Sequence, residues 1–222
     1  MMEAVAARPG GEVLDRAAEG AARGTFGAGT LVHRVDPSRI AVALVLEPED
    51  DAAKAAQMLL VGQVAAASAL AALAPPETEI GVCWGGALTL NGARCGGVRG
   101  RLDRIDEPHP AWLAVEVALT LAVRGEPGRD PSRTGVADEI GPFPFEPWIA
   151  SLARHWKLWI HRWESEGLAP IGSEWKARMV ADPTTLSTQT ILGLDQGGSA
   201  IVRSGDGIRS QSVLDLWEGV GR

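Results

Sequence analysis

The side chains best suited to chemistry are concentrated in GVCWGGALTLNGARCGGVRGRLD, residues 81–103. Both cysteines of the chain, Cys83 and Cys95, lie here with Trp84, Arg94, Arg99 and Arg101, and Arg104 follows. Four arginines within eleven residues can hold a carboxylate or phosphate through charge-assisted, bidentate hydrogen bonds. The outer three, Arg99, Arg101 and Arg104, can equally form a solvated hairpin end paired with Asp103, Asp106 and Glu107, whereas Arg94 is placed to face a ligand. The thiols raise three further chemistries: a disulfide, a metal site, or a nucleophile.

Asn91-Gly92 between two alternating runs predicts a tight hairpin. In that register Leu90 faces Ala93, Cys95 faces Leu88 and Cys83 faces Gly100. The thiols then lie about 16 Å apart at 3.3 Å per residue, on opposite faces, whereas a disulfide needs Cα atoms within about 7 Å. Disulfide formation and joint metal ligation both fail, so two reduced, partly buried thiols and no metal site are expected. No lysine follows the glycines, so this is not a Gly-x4-Gly-Lys phosphate loop. Counted by twos, Cys83, Gly85, Ala87, Thr89, Arg94, Gly96, Val98 and Gly100 share a face. Its small residues leave room for a ligand, and Arg94 is its single charge.

The surrounding elements must position that face. Residues 11–23 read as an Ala-rich helix, Leu31–Val35 and Arg39–Leu46 as strands. Pro48 and the acids after it start a helix that runs to about Ala74. Leu113, Val115, Val117 and Leu119 alternate with Glu116 and Thr120 in a strand over 112–123. Residues 125–147, rich in proline and glycine, read as a long connection. Trp148, Leu152, Trp156, Trp159 and Trp163 mark one face of a helix ending at Gly167, a stripe for core packing rather than a cofactor box. His155 and His161 fall off that stripe. A short helix over 173–180 precedes three or four short strands separated by glycine turns. The fold class expected is α/β (α+β): a mixed, largely antiparallel sheet packed by helices over residues 1–183, with a small C-terminal β module at 184–222.

At 222 residues and 45% apolar content, the chain can bury one medium core. Its 28 acidic against 21 basic residues give a net charge of -7, which argues against nucleic acid as a partner. The segment MMEAVAARPGGEVLDR lacks an apolar core of signal-peptide length. The longest apolar run, near 58–74, is interrupted by Gly62, Gln63 and Ser68 and falls short of the roughly 20 residues that span a bilayer. A cytoplasmic protein without a membrane partner is expected.

The order of elements, with Trp84 and RCGGV, resembles the catalytic core of the biotin/lipoate–protein ligases, and in particular divergent bacterial proteins of that kind with unassigned activity. The resemblance extends from about 12 to 217. The family's Lys-Trp-Pro-Asn-Asp signature is matched by Cys83-Trp84-Gly85-Gly86-Ala87. Its Lys-x-x-Gly-hydrophobic signature is matched by Arg94-Cys95-Gly96-Gly97-Val98 without a gap. GLDQGGSAIVR at 193–203 is similar to the turn that opens the family's small barrel. The resemblance implies ATP, with Mg accompanying it, and a small acid such as biotin or lipoate, activated as its adenylate and passed to a lysine of a carrier domain. It makes Arg94 the catalytic cation in the lysine position. It makes His33, Arg34, Cys83, Trp84, Gly85, Gly86, Gly96 and Gly97 ligand-binding residues.

Departures from the family pattern keep the activity open. Arg94 replaces a compact ammonium with a planar fork, Cys83 stands in for a lysine, and Ala87 for an aspartate. The Gly-Arg-rich adenylate loop should fall near GTFGAGTLVHRVDPSRI, where only His33, Arg34 and Arg39 are cationic candidates. One reading is an acyl-carrier ligase of modified chemistry. The alternative is a non-catalytic homologue that binds a ligand or carrier and has lost adenylate formation. A third is acyl transfer through Cys83 or Cys95, neither of which has a histidine near it in sequence.

Overall fold

The computed structural model describes residues 2–6, 12–104, 109–123, 125, 128–184 and 189–219. Its elements run β1 (Glu3–Ala6), α1 (Val13–Ala22), β2 (Thr30–Asp36), β3 (Arg39–Leu46), α2 (Ala52–Ala55), α3 (Met58–Ala71), β4 (Ile80–Val82), β5 (Ala87–Leu90), β6 (Ala93–Leu102), β7 (Leu113–Thr120), α4 (Val136–Ile140), α5 (Phe145–Glu166), α6 (Ala169–Arg178), β8 (Thr190–Leu194), β9 (Ala200–Ser204), β10 (Gly207–Gln211), a 3-10 turn at Val213–Leu216, and β11 (Glu218–Gly219). The main sheet has the order β1-β2-β3-β7-β6-β5-β4, with β11 added beside β6. All its pairs are antiparallel except β1 with β2 and β11 with β6. The fold is the mixed, largely antiparallel α/β class expected.

Strand alternation sorts the sheet into two faces. Leu31, Ile40, Val42, Leu44, Val115, Val117 and Leu119 turn to one side and join α3, α5 and α6 in the main core. The tryptophan stripe behaves as expected. Trp148, Leu152, Trp156, Trp159 and Trp163 of α5 are buried in that core. Trp163 donates to Gln57 Oε1 at 2.7 Å and Trp159 to Ser68 Oγ at 3.2 Å, so the polar ends of these two rings are satisfied where their bodies are buried. On the opposite face, Val32, Ala41, Ala43, Val45 and Ala114 pack against Val13, Leu14 and Ala17 of α1. Alanine on the strands and alanine on the helix allow this close approach.

The apolar stretch Ala52–Ala71 is long and apolar enough for a membrane span by length and composition, contrary to expectation, but 83% of it is buried inside the protein. The helix expected from Pro48 to Ala74 is divided into α2 and α3. Asp51 caps α2 by accepting from Lys54 N at 2.8 Å. The connection expected over 125–147 contains α4 and a strand-like contact at Arg133. β1 carried no sequence signal, being short and largely exposed. The second sheet, β10-β9-β8, matches the expected C-terminal strands, although the run after 211 coils into the 3-10 turn instead of extending. Val213 and Trp217 of that tail insert into the main core, and Trp217 donates to the Ala56 carbonyl at 2.9 Å.

The long hairpin expected over 80–103 is corrected. Asn91 and Gly92 do form the tight turn, with φ of 48° and 82°, and Leu90 pairs with Ala93. Residues 83–86 make a second reversal, so β4 folds back on β5 instead of reaching Gly100. Cys83 and Gly100 therefore do not face each other. The pairing also slips by one residue: Thr89 faces Arg94 but Leu88 faces Gly96, leaving Cys95 as the extra residue of a β-bulge.

Candidate functional site

The bulge decides which side chains share a surface. A strand alternates strictly, so one inserted residue exchanges the faces beyond it. Val98 and Leu102, past the bulge, join the helix-side core. A Cβ at Gly100 would lie 2.3 Å from the Trp217 ring, so the space over Gly100 is filled by that ring. Val98 and Gly100 are thus not on the face of Arg94, as counting by twos had them. Arg99 and Arg101 take that face and meet α1.

Beside α1 the uncovered part of this face forms a groove of about 990 Å³ over β3, β7 and β6. Arg94, Gly85, Gly96 and Gly97 line it, and so do Arg39, Arg99 and Glu116. Its far wall is the segment 128–134, which closes back on the sheet. Arg94 N donates to the Ser132 carbonyl and Thr134 N to the Arg94 carbonyl, both at 2.9 Å. This segment takes over where β7 ends, and so pins Arg94 from the side away from β5. Among the described residues, five arginines line the groove against two carboxylates, Glu116 and Asp130, which makes it locally basic in an acidic chain.

The guanidinium of Arg94 lies over Gly97, with Nη2 3.7 Å from where a Cβ would stand. It reaches Asp182 Oδ2 and Thr184 Oγ1, each at 3.4 Å. Those partners arrive because the segment after α6 continues alongside β4, where Val180 N donates to the Val82 carbonyl at 2.9 Å. Thr184 in turn donates its hydroxyl to Asp182 Oδ1 at 2.7 Å. The arginine side chain is 37% exposed, and contacts at 3.4 Å are long for charge-assisted bonds.

A second cluster lies at the α1 end of the groove. Glu116 is wholly buried, yet accepts from Leu14 N at 2.9 Å, Arg99 Nε at 2.8 Å and Arg39 Nη2 at 3.2 Å. Glu12 accepts from the same two arginines, at 2.7 Å from Arg99 and 3.4 Å from Arg39. Burial pushes the Glu12 carboxyl up, but the Arg99 hydrogen bond with the charges of Arg39, Arg99 and Arg34 outweighs it and holds the group below its ordinary value. Arg101 pairs with Asp15 of α1 at 2.7 Å. Of the outer arginines, read as either ligand-facing or paired with Asp103, Asp106 and Glu107, two, Arg99 and Arg101, pair with Glu12, Asp15 and Glu116; residues 106 and 107 lie outside those described.

The other expected ligand-binding residues lie elsewhere. Gly86 shapes the 83–86 turn: its φ is +96°, its carbonyl accepts from Val98 N at 2.7 Å, and a Cβ there would meet the Val98 carbonyl at 2.1 Å. Cys83 is buried behind the turn. Trp84 packs edge-on against Trp175 on the helix side, ring centroids 6.3 Å apart. His33 alternates with Leu31 and Val35 toward the helices, while Arg34 points to the α1 face and pairs with Asp36 at 2.9 Å. Two adjacent strand residues cannot share a face. None of these five lines the groove.

Burial, the largest influence, pushes the Cys83 thiol up to about 12; Asp182 adds to the shift and Arg94 opposes it. Burial likewise raises Cys95 to about 12, and its Sγ lies 3.5 Å from the Leu88 carbonyl. Thiols so protonated at neutral pH are poor nucleophiles. Both are free, as expected.

Sequence reasoning passed over Glu116 and Gln63. A lone glutamate in the most apolar strand was the available signal, since buried charges are paired. Gln63 on α3, 1% exposed, donates to the carbonyls of Cys83 at 2.9 Å and Ala87 at 3.3 Å, and accepts from Trp175 Nε1 at 3.0 Å. It fixes the turn that carries Gly85.

The family model described as "Biotin/lipoate A/B protein ligase family" matches residues 1–177. A biotin–[acetyl-CoA-carboxylase] ligase from Paracoccus denitrificans is 28% identical over 176 residues, 72% of each chain. A biotin protein ligase-like protein of unknown function from a Silicibacter species is 32% identical, with a TM-score of 0.86 over 98% of this chain and 96% of that one. The biotin protein ligase of Aquifex aeolicus, solved in complex with biotin and ATP, shares the fold at 14% identity, with a TM-score of 0.71 over 96% of both chains. With the family match covering most of its length and the element order agreeing along nearly all of it, this chain belongs to the biotin/lipoate A/B protein ligase family.

Proposed function

We propose that the groove over Gly96 and Gly97 binds a small carboxylic acid, of the biotin or lipoate kind or another acyl acid, or its adenylate, with Arg94 as the cation that meets the acyl and phosphoryl oxygens. The observation that carries this reading is Arg94 itself. A guanidinium offers five N–H donors, and among the described residues this one makes two side-chain hydrogen bonds, each at 3.4 Å, from the wall of a basic groove. Donors remain for a ligand. The relatives support an acid and ATP as substrates, since the Aquifex aeolicus enzyme was solved with biotin and ATP.

In the ligase form of this reading, the acid's carboxylate attacks the α-phosphorus of ATP and expels pyrophosphate, giving the acyl-adenylate. A lysine amine of a biotinyl or lipoyl carrier domain then attacks the acyl carbon, loses a proton, and displaces AMP as the amide forms. Arg94 opposes the charge that grows on the transferring oxygens. The five groove arginines suit a polyphosphate, and Mg²⁺ would enter with those phosphates.

A second reading, a non-catalytic homologue that keeps the ligand or carrier and has lost adenylate formation, is favoured by Cys83. Where the family signature has a lysine, this chain buries a thiol with no charge to offer. Acid-dependent ATP–pyrophosphate exchange with biotin, lipoate and octanoate tests the first form. Absent exchange, with thermal stabilisation by the acids or adenylates, selects the second; neither response would refute ligand binding. Arg94→Ala should abolish most of the stabilisation, whereas Arg104→Ala should leave it intact, and equal effects would remove Arg94 from the role.

A further inference from the structure

The charge balance at the α1 end of the groove is uneven in burial. Glu116 is buried and pinned by three donors, two of them from Arg39 and Arg99. One carboxylate cannot neutralise two guanidiniums, and the remaining charge is met by Glu12, whose side chain is 46% exposed. Glu12 is the N-cap residue of α1 but makes no side-chain cap; Glu116 accepts the Leu14 amide instead. The Glu12 carboxylate is thus free of any duty to its own helix. It lies on the two arginines that also line the groove, while Arg94 stands on the same face of β6.

We infer that Arg39 and Arg99 form a second anion subsite, at the end of the groove remote from Arg94, which takes the distal carboxylate of an α,ω-dicarboxylic acid in exchange for Glu12. This rests on the acid-binding reading and narrows it. Along β6, Arg94 and Arg99 are five residues apart with one lost to the bulge, roughly 13 Å of strand at 3.3 Å per residue, so a straight-chain diacid can address both. Glu116 keeps the two guanidiniums aimed and desolvated on one side. Exchange of the exposed Glu12 for a ligand carboxylate preserves the charge balance. An apolar acyl tail has no carboxylate to offer there: it leaves Glu12 on the two guanidiniums and gains nothing from the subsite, which is the discrimination.

Calorimetric titration of the full chain with suberate, monomethyl suberate and octanoate separates the terms, because these differ at the distal end. Suberate should bind about tenfold or more tighter than the other two, the scale of charge-assisted hydrogen bonds gained. Glu12→Gln removes the competing carboxylate and should tighten suberate by about two- to fivefold, as an exposed ion pair allows, without tightening octanoate. Arg99→Gln, if folded by circular dichroism, should bring suberate down to the octanoate level. Equal affinity for suberate and octanoate, or unchanged suberate affinity in Glu12→Gln, overturns the second subsite while leaving acid binding standing. No binding by any of the three overturns acid binding itself and the subsite with it. Glu12→Gln alters only an exposed side chain, so it decides the matter even if Arg99→Gln does not fold.

Discussion

Replacing Glu116 by glutamine keeps its shape and removes its charge, and it tests whether that carboxylate anchors the floor of the groove. Three donors converge on it: the Leu14 amide, Arg99 Nε and Arg39 Nη2, at 2.9, 2.8 and 3.2 Å. A hydrogen bond to a charged group contributes about 1.5–3 kcal/mol. Full loss of three would suggest the upper end of the 3–5 kcal/mol typical of a broken buried pair. Two corrections lower this. The amide oxygen retains one acceptor, and Arg39 and Arg99 are 36% and 39% exposed, so water recovers part of their solvation. The expected cost is about 3 kcal/mol, or a fall in Tm of about 6–12 °C for a chain of this size. Urea denaturation should show a lower midpoint at unchanged slope. Glu12→Gln, in the same network but half exposed, should cost no more than about 1 kcal/mol. A Glu116→Gln loss below about 1 kcal/mol, or equal losses in the two variants, would refute the claim that the buried carboxylate holds the arginines.

Further consequences concern the turn, the tail and the thiols. Gln63→Leu removes one of the donors to the Cys83 and Ala87 carbonyls, which keep Gly86 N and Cys83 N, and leaves the Trp175 indole without its acceptor, so stability should fall by about 1–3 kcal/mol and ligand-induced stabilisation should weaken as Gly85 loses its support. Gly100→Ala would set a Cβ 2.3–2.7 Å from the Trp217 ring, and an overpacking cost of about 1–3 kcal/mol should emerge as faster proteolysis of residues 189–219 with little change in the main core. Both thiols, raised to about 12 by burial, should resist Ellman's reagent at pH 7 until urea unfolds the chain. Since the folded thiols keep their protons where unfolded ones, near 8.5, lose them, their contribution is complete below about pH 8.5 and declines as pH rises toward 12. Stability flat across pH 8.5–11 in the wild type, matching a Cys83→Ala, Cys95→Ala double variant, would contradict this.

Local rules read much of the chain correctly. The alternation of Leu113, Val115, Val117 and Leu119 fixed their burial, the spacing from Trp148 to Trp163 fixed one helical face, and Asn91-Gly92 fixed a turn that only positive φ permits. The match to the family signatures placed Arg94 within a groove-bearing strand. Each of these depends on residues within one or two turns, or one or two pleats, of one another. What failed depended on residues brought together from far away. Nothing near Cys95 announces a bulge, because the slip is chosen by how β6 must register against β5 and β7 at once. That slip alone moved Arg99 and Arg101 to the face of Arg94 and sent Val98 to the core.

The sequence by itself determined the class of fold, most of the longer strands and helices, and the tight turn, since propensity and periodicity act locally. Only the tertiary structure decided that Glu12 and Glu116, 104 residues apart in the numbering, close on the same two arginines. Charge pairing depends on distance in space, and a carboxylate in a strand carries no mark of the guanidinium that folding will bring to it.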